Sequence, residues 1–195
     1  MLLPQMDDSE FEDFRKLIHE SVGISLSLQK KQLLMTRLYR RMYQLGINSY
    51  GEYWAHVLND ETGSEMVLLL NAVSTNKTDF FRERDHFTFL KNEVYPHLQK
   101  QQTIRIWSCA CSSGEEAYTI AMTLLNAFGG VLGGRDAKIL ATDISTRMLD
   151  QAELGRYPVN QLQLIPEVLR NRYCKILPET NGEMFQVSSQ LKALI

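Results

Sequence analysis

The chain has 195 residues, 44% of them hydrophobic and 23% charged, with 11 Gly, 5 Pro and a net charge of −2; this suits one ample core or two small ones and excludes disordered, fibrous and collagen-like chains. No apolar run approaches the ~20 residues that cross a bilayer, and the opening MLLPQMDDSEFED has acids where a secretory leader is apolar, so a cytoplasmic protein without membrane insertion is expected. Residues 1–75 hold ten acids and seven bases, and residues 76–195 thirteen and fourteen, so neither half is basic enough for general nucleic-acid binding.

In chain order, the first 75 residues read as short helices forming an all-helical N-terminal domain. SEFEDFRKLIHESVGI has Ser9 as a candidate cap, acids in its first turn, and Phe11, Phe14, Leu17, Ile18 and Val22 on one face before Gly23. A second helix is expected from about residue 28 to 45, stopping at Gly46. Its apolar stripe is Leu34, Leu38, Met42 and Leu45, and Lys30, Arg37 and Arg41 form a stripe beside it. Not one acid lies between Glu20 and Glu52, whereas Lys30, Lys31, Arg37, Arg40 and Arg41 supply five positive charges, Lys31 pointing toward the apolar side. Two further helices follow, one opened by Ser49 and one over roughly 63–73.

After residue 86 the pattern changes. HFTFLKNEVYPHLQK reads as helix, TIRIWS (103–108) as a strand, CACSSGEE (109–116) as a small-residue turn opening a helix to about 128, KILAT (138–142) as a second strand ending at Asp143, and residues 145–154 as another helix. Residues 161–177 read as mixed helix and loop, and residues 184–188 as one more strand. Strand, small-residue turn, helix, strand ending in an acid is the opening of a doubly wound α/β nucleotide-binding sheet. Two strands do not make a stable parallel sheet, so residues 76–195 are expected to carry only its N-terminal part. The edge of strand 103–108 would then be covered by another copy, giving a homo-oligomer, or the 195 residues are a piece of a longer chain.

Three places carry candidate chemistry. The turn at 108–116 lets a ligand approach the backbone of a helix N-terminus, or is simply a tight turn without one. Gly114 is its single glycine, so no dinucleotide fingerprint is present. Glu115 and Glu116 suit the helix dipole but would repel a phosphate, favouring a ligand with positive charge or hydroxyls and disfavouring a nicotinamide oxidoreductase. Asp143 stands where such sheets place an acid toward ribose hydroxyls; it could equally cap the following helix. Residues 74–83 (STNKTDFFRE) crowd polar side chains, Phe80, Phe81 and Arg82 into a connector that could also be a capped helix start. The three cysteines, Cys109, Cys111 and Cys174, read as free thiols, and the Cys109-x-Cys111 pair as small buried thiols rather than metal ligands, because no nearby His or Cys completes a site.

The stretch NAVSTNKTDFFRERDHF, then IRIWSCACSSGEEAYTIAMTL, then KILATDISTRMLDQAELGRYP, spanning about residues 71–158, closely resembles chemotaxis receptor methyltransferases of the CheR type. Thr75, Asn76, Thr78, Phe80, Phe81 and Arg82 fill the family pattern T-N-x-T-x-F-F-R. Trp107, Ser108, Ser112, Gly114, Glu115 and Glu116 fill W-S-x-x-x-S-x-G-E-E. The resemblance implies a Rossmann-like fold and transfer of a methyl group from S-adenosylmethionine to glutamate side chains of chemotaxis receptors, leaving S-adenosylhomocysteine. It implies Asn76, Thr78, Arg82, Glu116 and Asp143 as cofactor contacts, with Arg82 also near the reacting methyl, and the helical unit over the cofactor site. Lys30, Arg37, Arg40 and Arg41 are then receptor-binding residues facing acidic receptor helices, although a solvated basic face would look the same. Family members continue with further strands bearing an Asn-Leu pair, an Arg-Asn pair and a tyrosine, none of which this sequence contains. A non-catalytic receptor- or signalling-protein-binding module is therefore the alternative to the enzyme.

Overall fold

The computed structural model describes residues 4–195, which form two compact units, residues up to 75 and residues 76–195. The first unit is four α-helices: α1 (Asp8–Val22), α2 (Lys31–Leu45), α3 (Tyr50–Asn59) and α4 (Ser64–Val73). Each exists because its apolar residues recur at helical spacing. Phe11, Phe14 and Ile18 of α1, Leu34, Leu38 and Met42 of α2, Tyr50 and Tyr53 of α3, and Leu69 of α4 meet in one buried core. The cap of α1 is Asp7 rather than Ser9: Asp7 accepts from the Glu10 N–H at 2.7 Å while Glu10 accepts from the Asp7 N–H at 2.8 Å. This reciprocal pair satisfies two helix-end donors, which Ser9, already inside the first turn, cannot do. Ser49 caps α3 as expected, accepting from the Glu52 N–H. The expected start of α2 at 28 is a 3₁₀ turn (Leu28–Lys30) leading into the α-helix.

The second unit opens with α5 (Arg84–Phe89), which passes through a π-helical turn (Leu90–Val94) into α6 (Tyr95–Leu98). Then come β1 (Thr103–Cys109), α7 (Glu115–Ala127), β2 (Asp136–Thr142) and α8 (Thr146–Leu154). β1 and β2 pair in parallel over their full lengths, Thr103 opposite Asp136 through Cys109 opposite Thr142. Alternation along β1 buries Ile104 and Ser108 and turns Arg105, Trp107 and Cys109 outward; Trp107 is 64% exposed. The backbone of β2 also meets the chain's last residues, Ile139 N–H donating to the Leu194 carbonyl at 2.6 Å.

The strand expected at 184–188 is β5 (Met184–Val187), but it lies outside the parallel sheet. It is the middle of a separate antiparallel sheet, between β3 (Arg156–Pro158) and β4 (Cys174–Ile176), with α9 (Glu167–Tyr173) connecting the outer two and α10 (Ser189–Lys192) following. The reading of 161–177 as helix and loop missed β4, whose three residues are too few to show alternation. This small sheet packs on the connector through aromatic rings: Tyr157 of β3 packs edge-on to Phe80 at 4.9 Å, and Phe185 of β5 lies 5.9 Å from Phe80. Phe80 is 2% exposed, so the connector that carries it is pinned into the core of the second unit. Burying a ring of that size contributes about 1.5–3 kcal/mol.

Candidate functional site

The turn after β1 is built from residues in uncommon backbone states. Ala110, Ser112 and Gly114 alternate in the left-handed region, with φ of 63°, 50° and 95°. For non-glycine residues such states cost of order 1–3 kcal/mol each and persist where surrounding contacts enforce them. The enforcing contacts are specific. Ser112 N–H donates to Asp143 Oδ2 at 2.8 Å, Asp143 Oδ1 accepts from Ser145 N–H at 2.8 Å, and Ser112 Oγ donates to the Asn76 carbonyl at 3.3 Å. Asp143, half-buried after β2, thus ties together the two strand-to-helix turns. It does not cap α8, whose cap position is Ser145 with no side-chain cap bond; its bond to the Ser145 N–H closes a local turn ahead of the helix, and its bond to Ser112 is one the sequence could not show. Each of its oxygens has accepted one backbone donor and keeps capacity for another. The adjacent Ser145 hydroxyl is fully buried and has no hydrogen-bond partner among the described residues.

Gly114 is required for a reason other than ligand approach. A Cβ there would sit 2.8 Å from the Ala152 Cβ of α8 and 3.1 Å from the Tyr157 hydroxyl, so the bare backbone lets helix and turn close on each other.

The paired acids divide. Glu116 is exposed and accepts from Ser108 Oγ at 2.7 Å, whereas Glu115 is 3% exposed and accepts from Ser113 Oγ at 2.7 Å. Burial holds the Glu115 carboxyl above its ordinary value of 4.5, the Ser113 hydroxyl partly opposing this and the Asp79 carboxylate adding to it. A carboxyl whose folded pKa is raised binds its proton more tightly when folded, so its contribution to stability falls as pH climbs from 4.5 through the folded value. Glu115→Gln removes that titration. Relative to the parent, its melting temperature is expected to be more favourable at pH 8 than at pH 4.5; a difference that does not change with pH contradicts this.

Thr78, Arg82 and Glu116 line one pocket of about 490 Å³, together with Lys77, Ala110 and His86. Arg82 is aimed there by the connector: Phe81 and Glu83 on either side are left-handed, with φ of 55° and 53°, and Arg82 Nη1 donates to the Lys77 carbonyl at 2.7 Å. Asn76 and Asp143 are not among the residues lining this pocket. Both meet the turn at Ser112, Asn76 by its backbone carbonyl and Asp143 by its carboxylate. Sequence reasoning left Ser108 and Ala110 unassigned. The inward register of Ser108 on β1 was visible in its alternation, but the left-handed Ala110 carries no sequence signal.

Cys111 is buried, and burial, with the Asp143, Glu116 and Glu115 carboxylates around it, pushes its thiol to about 11. It is a neutral packing group at neutral pH. Cys109 is exposed rather than buried, because the strand alternation turns it outward. No group of three or more metal-ligating side chains occurs among the described residues.

The connector, the turn and Asp143 thus meet in one place, and the chain matches a family model over all of it. Residues 76–195 match the CheR methyltransferase SAM-binding domain, and residues 9–74 match the CheR methyltransferase all-alpha domain. The chain belongs to the CheR methyltransferase family. It is 39% identical over 186 residues to chemotaxis protein methyltransferase 2 of Pseudomonas aeruginosa, an alignment covering 95% of this chain and 65% of that protein. It is 38% identical over 187 residues to the chemotaxis protein methyltransferase of Borreliella burgdorferi, covering 92% and 65%. With that of Escherichia coli the identity is 33% over 171 residues, covering 87% and 58%. The chain therefore spans 65% or less of each of these three relatives.

S-adenosylmethionine is the ligand of a CheR SAM-binding domain, and the donor set here fits it. The ligand's sulfonium and ammonium groups call for carboxylates, and its ribose for hydrogen-bond acceptors. Glu116 offers an exposed carboxylate in the pocket, and Asp143 retains free acceptor capacity. The Ser112 N–H, which in another loop of this kind would meet a phosphate, is already neutralised by Asp143, so a pyrophosphate is poorly served.

The four basic residues expected at a receptor surface have different surroundings. Arg41 makes a two-pronged ion pair with Glu65, Nη2 to Oε2 at 2.7 Å and Nε to Oε1 at 3.0 Å. Arg37 donates to the Val73 and Ser74 carbonyls at the end of α4. Lys30 and Arg40 are exposed. No helix among the described residues is long and apolar enough to cross a membrane.

Proposed function

We propose that the protein transfers a methyl group from S-adenosylmethionine to glutamate side chains of cytoplasmic regions of chemotaxis receptors, forming glutamyl methyl esters. The observation that carries this reading is the sorting of charge around the 110–116 turn: an exposed carboxylate, Glu116, lining the pocket, and a turn N–H already closed to anions by Asp143. S-adenosylmethionine supplies a methyl group activated by its sulfonium charge. Glu116 would meet the cationic amino-acid end, held in place by Ser108, and Asp143 would accept from the ribose. Thr78 and Asn76 shape the connector side.

Arg82 also serves the other reactant. A guanidinium is well suited to a carboxylate, so beside any contact with the donor's own α-carboxylate Arg82 orients the acceptor glutamate for in-line approach. No side chain needs to remove a proton, because a glutamate is already ionised at pH 7. The exposed Lys30 and Arg40 would meet the acidic receptor helices, whereas Arg37 and Arg41 support that surface by holding α2 to α4.

Incubating the protein with methyl-labelled S-adenosylmethionine and receptor-rich membranes tests this. Label that mild alkali releases as methanol is expected, reduced about tenfold or more in Arg82→Ala. A protein that binds S-adenosylhomocysteine yet transfers no alkali-labile label would overturn the reading.

A further inference from the structure

A larger cavity than the donor pocket has no role in that reading. A groove of about 780 Å³ runs between the α5–α6 segment, the C-terminal half of α7 and residues 163–170. Its apolar lining includes the half-buried rings of Phe81 and Phe87 and, at the exposed edge, Val168, 71% exposed. Its rim has cations on both sides, Arg84 and Lys91 on one and Arg170 on the other, against a single lining acid, Glu167. Arg84 and Lys91 are seven residues apart and share a helix face, and the π-helical turn begins at Leu90, immediately beside the groove. Interruptions of that kind gather at functional sites.

The groove and the donor pocket share a wall. Phe87 lines both, and Phe81 lines the groove while its neighbour Arg82 lines the pocket. The Phe81 and Phe87 rings lie 5.6 Å apart, and Phe81 is held in its left-handed state with its N–H on Thr119 Oγ1 at 3.3 Å. Anything that seats against these rings also meets the back of the element that aims Arg82.

We propose that this groove is a second binding site that takes an acidic, amphipathic segment of a partner protein, and that its occupation is felt in the donor pocket through Phe81 and Phe87. An open groove lined by three cations, one acid and apolar side chains matches a chain carrying carboxylates on one face and apolar side chains on the other. It suits a compact ligand less well, since small-molecule sites enclose most of their ligand. The coupling is reciprocal: a segment that changes donor affinity must have its own affinity changed by the donor in the same ratio.

The test is fluorescence anisotropy with a labelled peptide of about 14 residues, Leu at helical spacing and Glu elsewhere, beside its Gln-for-Glu counterpart. The Glu peptide is expected to bind, and the Gln peptide about tenfold more weakly. Arg84→Glu combined with Arg170→Glu is expected to weaken the Glu peptide about tenfold, as is Val168→Ser, an exposed position that does not threaten folding. These variants leave S-adenosylhomocysteine affinity in the absence of peptide within about twofold, while saturating peptide shifts it about threefold or more in the parent. Equal binding of the two peptides, indifference to the Arg84 and Arg170 reversals, absence of the shift, or displacement of the peptide by ATP acting through the same arginines would each overturn the proposal. Peptide binding of the expected kind in a protein that fails to take up S-adenosylhomocysteine would sustain the groove and sink the donor reading instead.

Discussion

Asp143→Ala is expected to weaken S-adenosylhomocysteine binding by about 10- to 100-fold, equivalent to roughly 1.4–2.7 kcal/mol. The substitution removes the acceptor aimed at the ribose and also unfastens the turn. The Ser112 and Ser145 N–H groups both donate to this carboxylate, and hydrogen bonds to a charged group contribute about 1.5–3 kcal/mol each. With the Ser112 N–H released, the turn keeps the Cys111 N–H bond to the Thr142 carbonyl and the Ser112 hydroxyl bond to the Asn76 carbonyl, but loses one of the contacts that hold Ser112 in the left-handed region. Asp143→Asn keeps one carbonyl acceptor and is expected to fall between the two. Titration calorimetry with melting curves for each variant checks this. Parent-like affinity in Asp143→Ala would show that neither the carboxylate nor the turn it fastens governs donor binding.

The second large effect lies in the helical unit. Glu65 is 4% exposed and is held by Arg41, by the Tyr53 hydroxyl at 2.9 Å, and more distantly by His56 at 3.7 Å. Burial alone would raise its pKa, but the Arg41 and Tyr53 bonds outweigh burial and hold it below the ordinary value. Arg41→Ala leaves that carboxylate buried with only the Tyr53 hydroxyl bonded to it and His56 at 3.7 Å, at a cost of about 3 kcal/mol. For a unit of this size the melting transition should drop by at least about 10 °C. Tyr53→Phe should cost nearer 1 kcal/mol. The pH dependence has a definite sign. A carboxylate with a depressed folded pKa stabilises above its unfolded value of 4.5, and that stability is lost as pH falls through the lower folded value. Arg41→Ala should therefore flatten the acid limb of the parent's stability profile; an unchanged limb would place the pair outside the stability of this unit.

That result bears on receptor docking. Arg41 and Arg37 are occupied within the unit, so lost receptor binding in either variant would report a loosened helix rather than a lost contact. Lys30→Glu and Arg40→Glu, at exposed positions, are the informative substitutions.

Much of this was legible in the sequence because it follows from periodicity and from local chemistry. Leu34, Leu38 and Met42 share a face by spacing alone, Ser49 caps a helix by residue type, and the passage from β1 through a small-residue turn to α7 is a run of unambiguous signals. The separation of Glu115 from Glu116 was not legible, since both occupy the first turn and only packing against Ser113 and the Asp79 side decides which is buried. Nor was the stripe of basic residues on α2. Its spacing was right, but the partner that engages Arg41 is Glu65, 24 residues further on, and only the tertiary fold brings it near. The left-handed Ser112 is likewise held by Asp143 from 31 residues further on, and neither its side chain nor that of the left-handed Ala110 gives any hint of these states.

The central claim is that the 110–116 turn, with Glu116 before it and Asp143 behind, receives a cationic adenosyl donor. Titration calorimetry of the whole chain with S-adenosylhomocysteine and, separately, with a nicotinamide dinucleotide decides it. Binding of one S-adenosylhomocysteine per chain, weakened by Glu116→Ala, with no heat from the dinucleotide, is the predicted result. Heat from the dinucleotide that is lost in Glu116→Ala, or silence from S-adenosylhomocysteine, would contradict it.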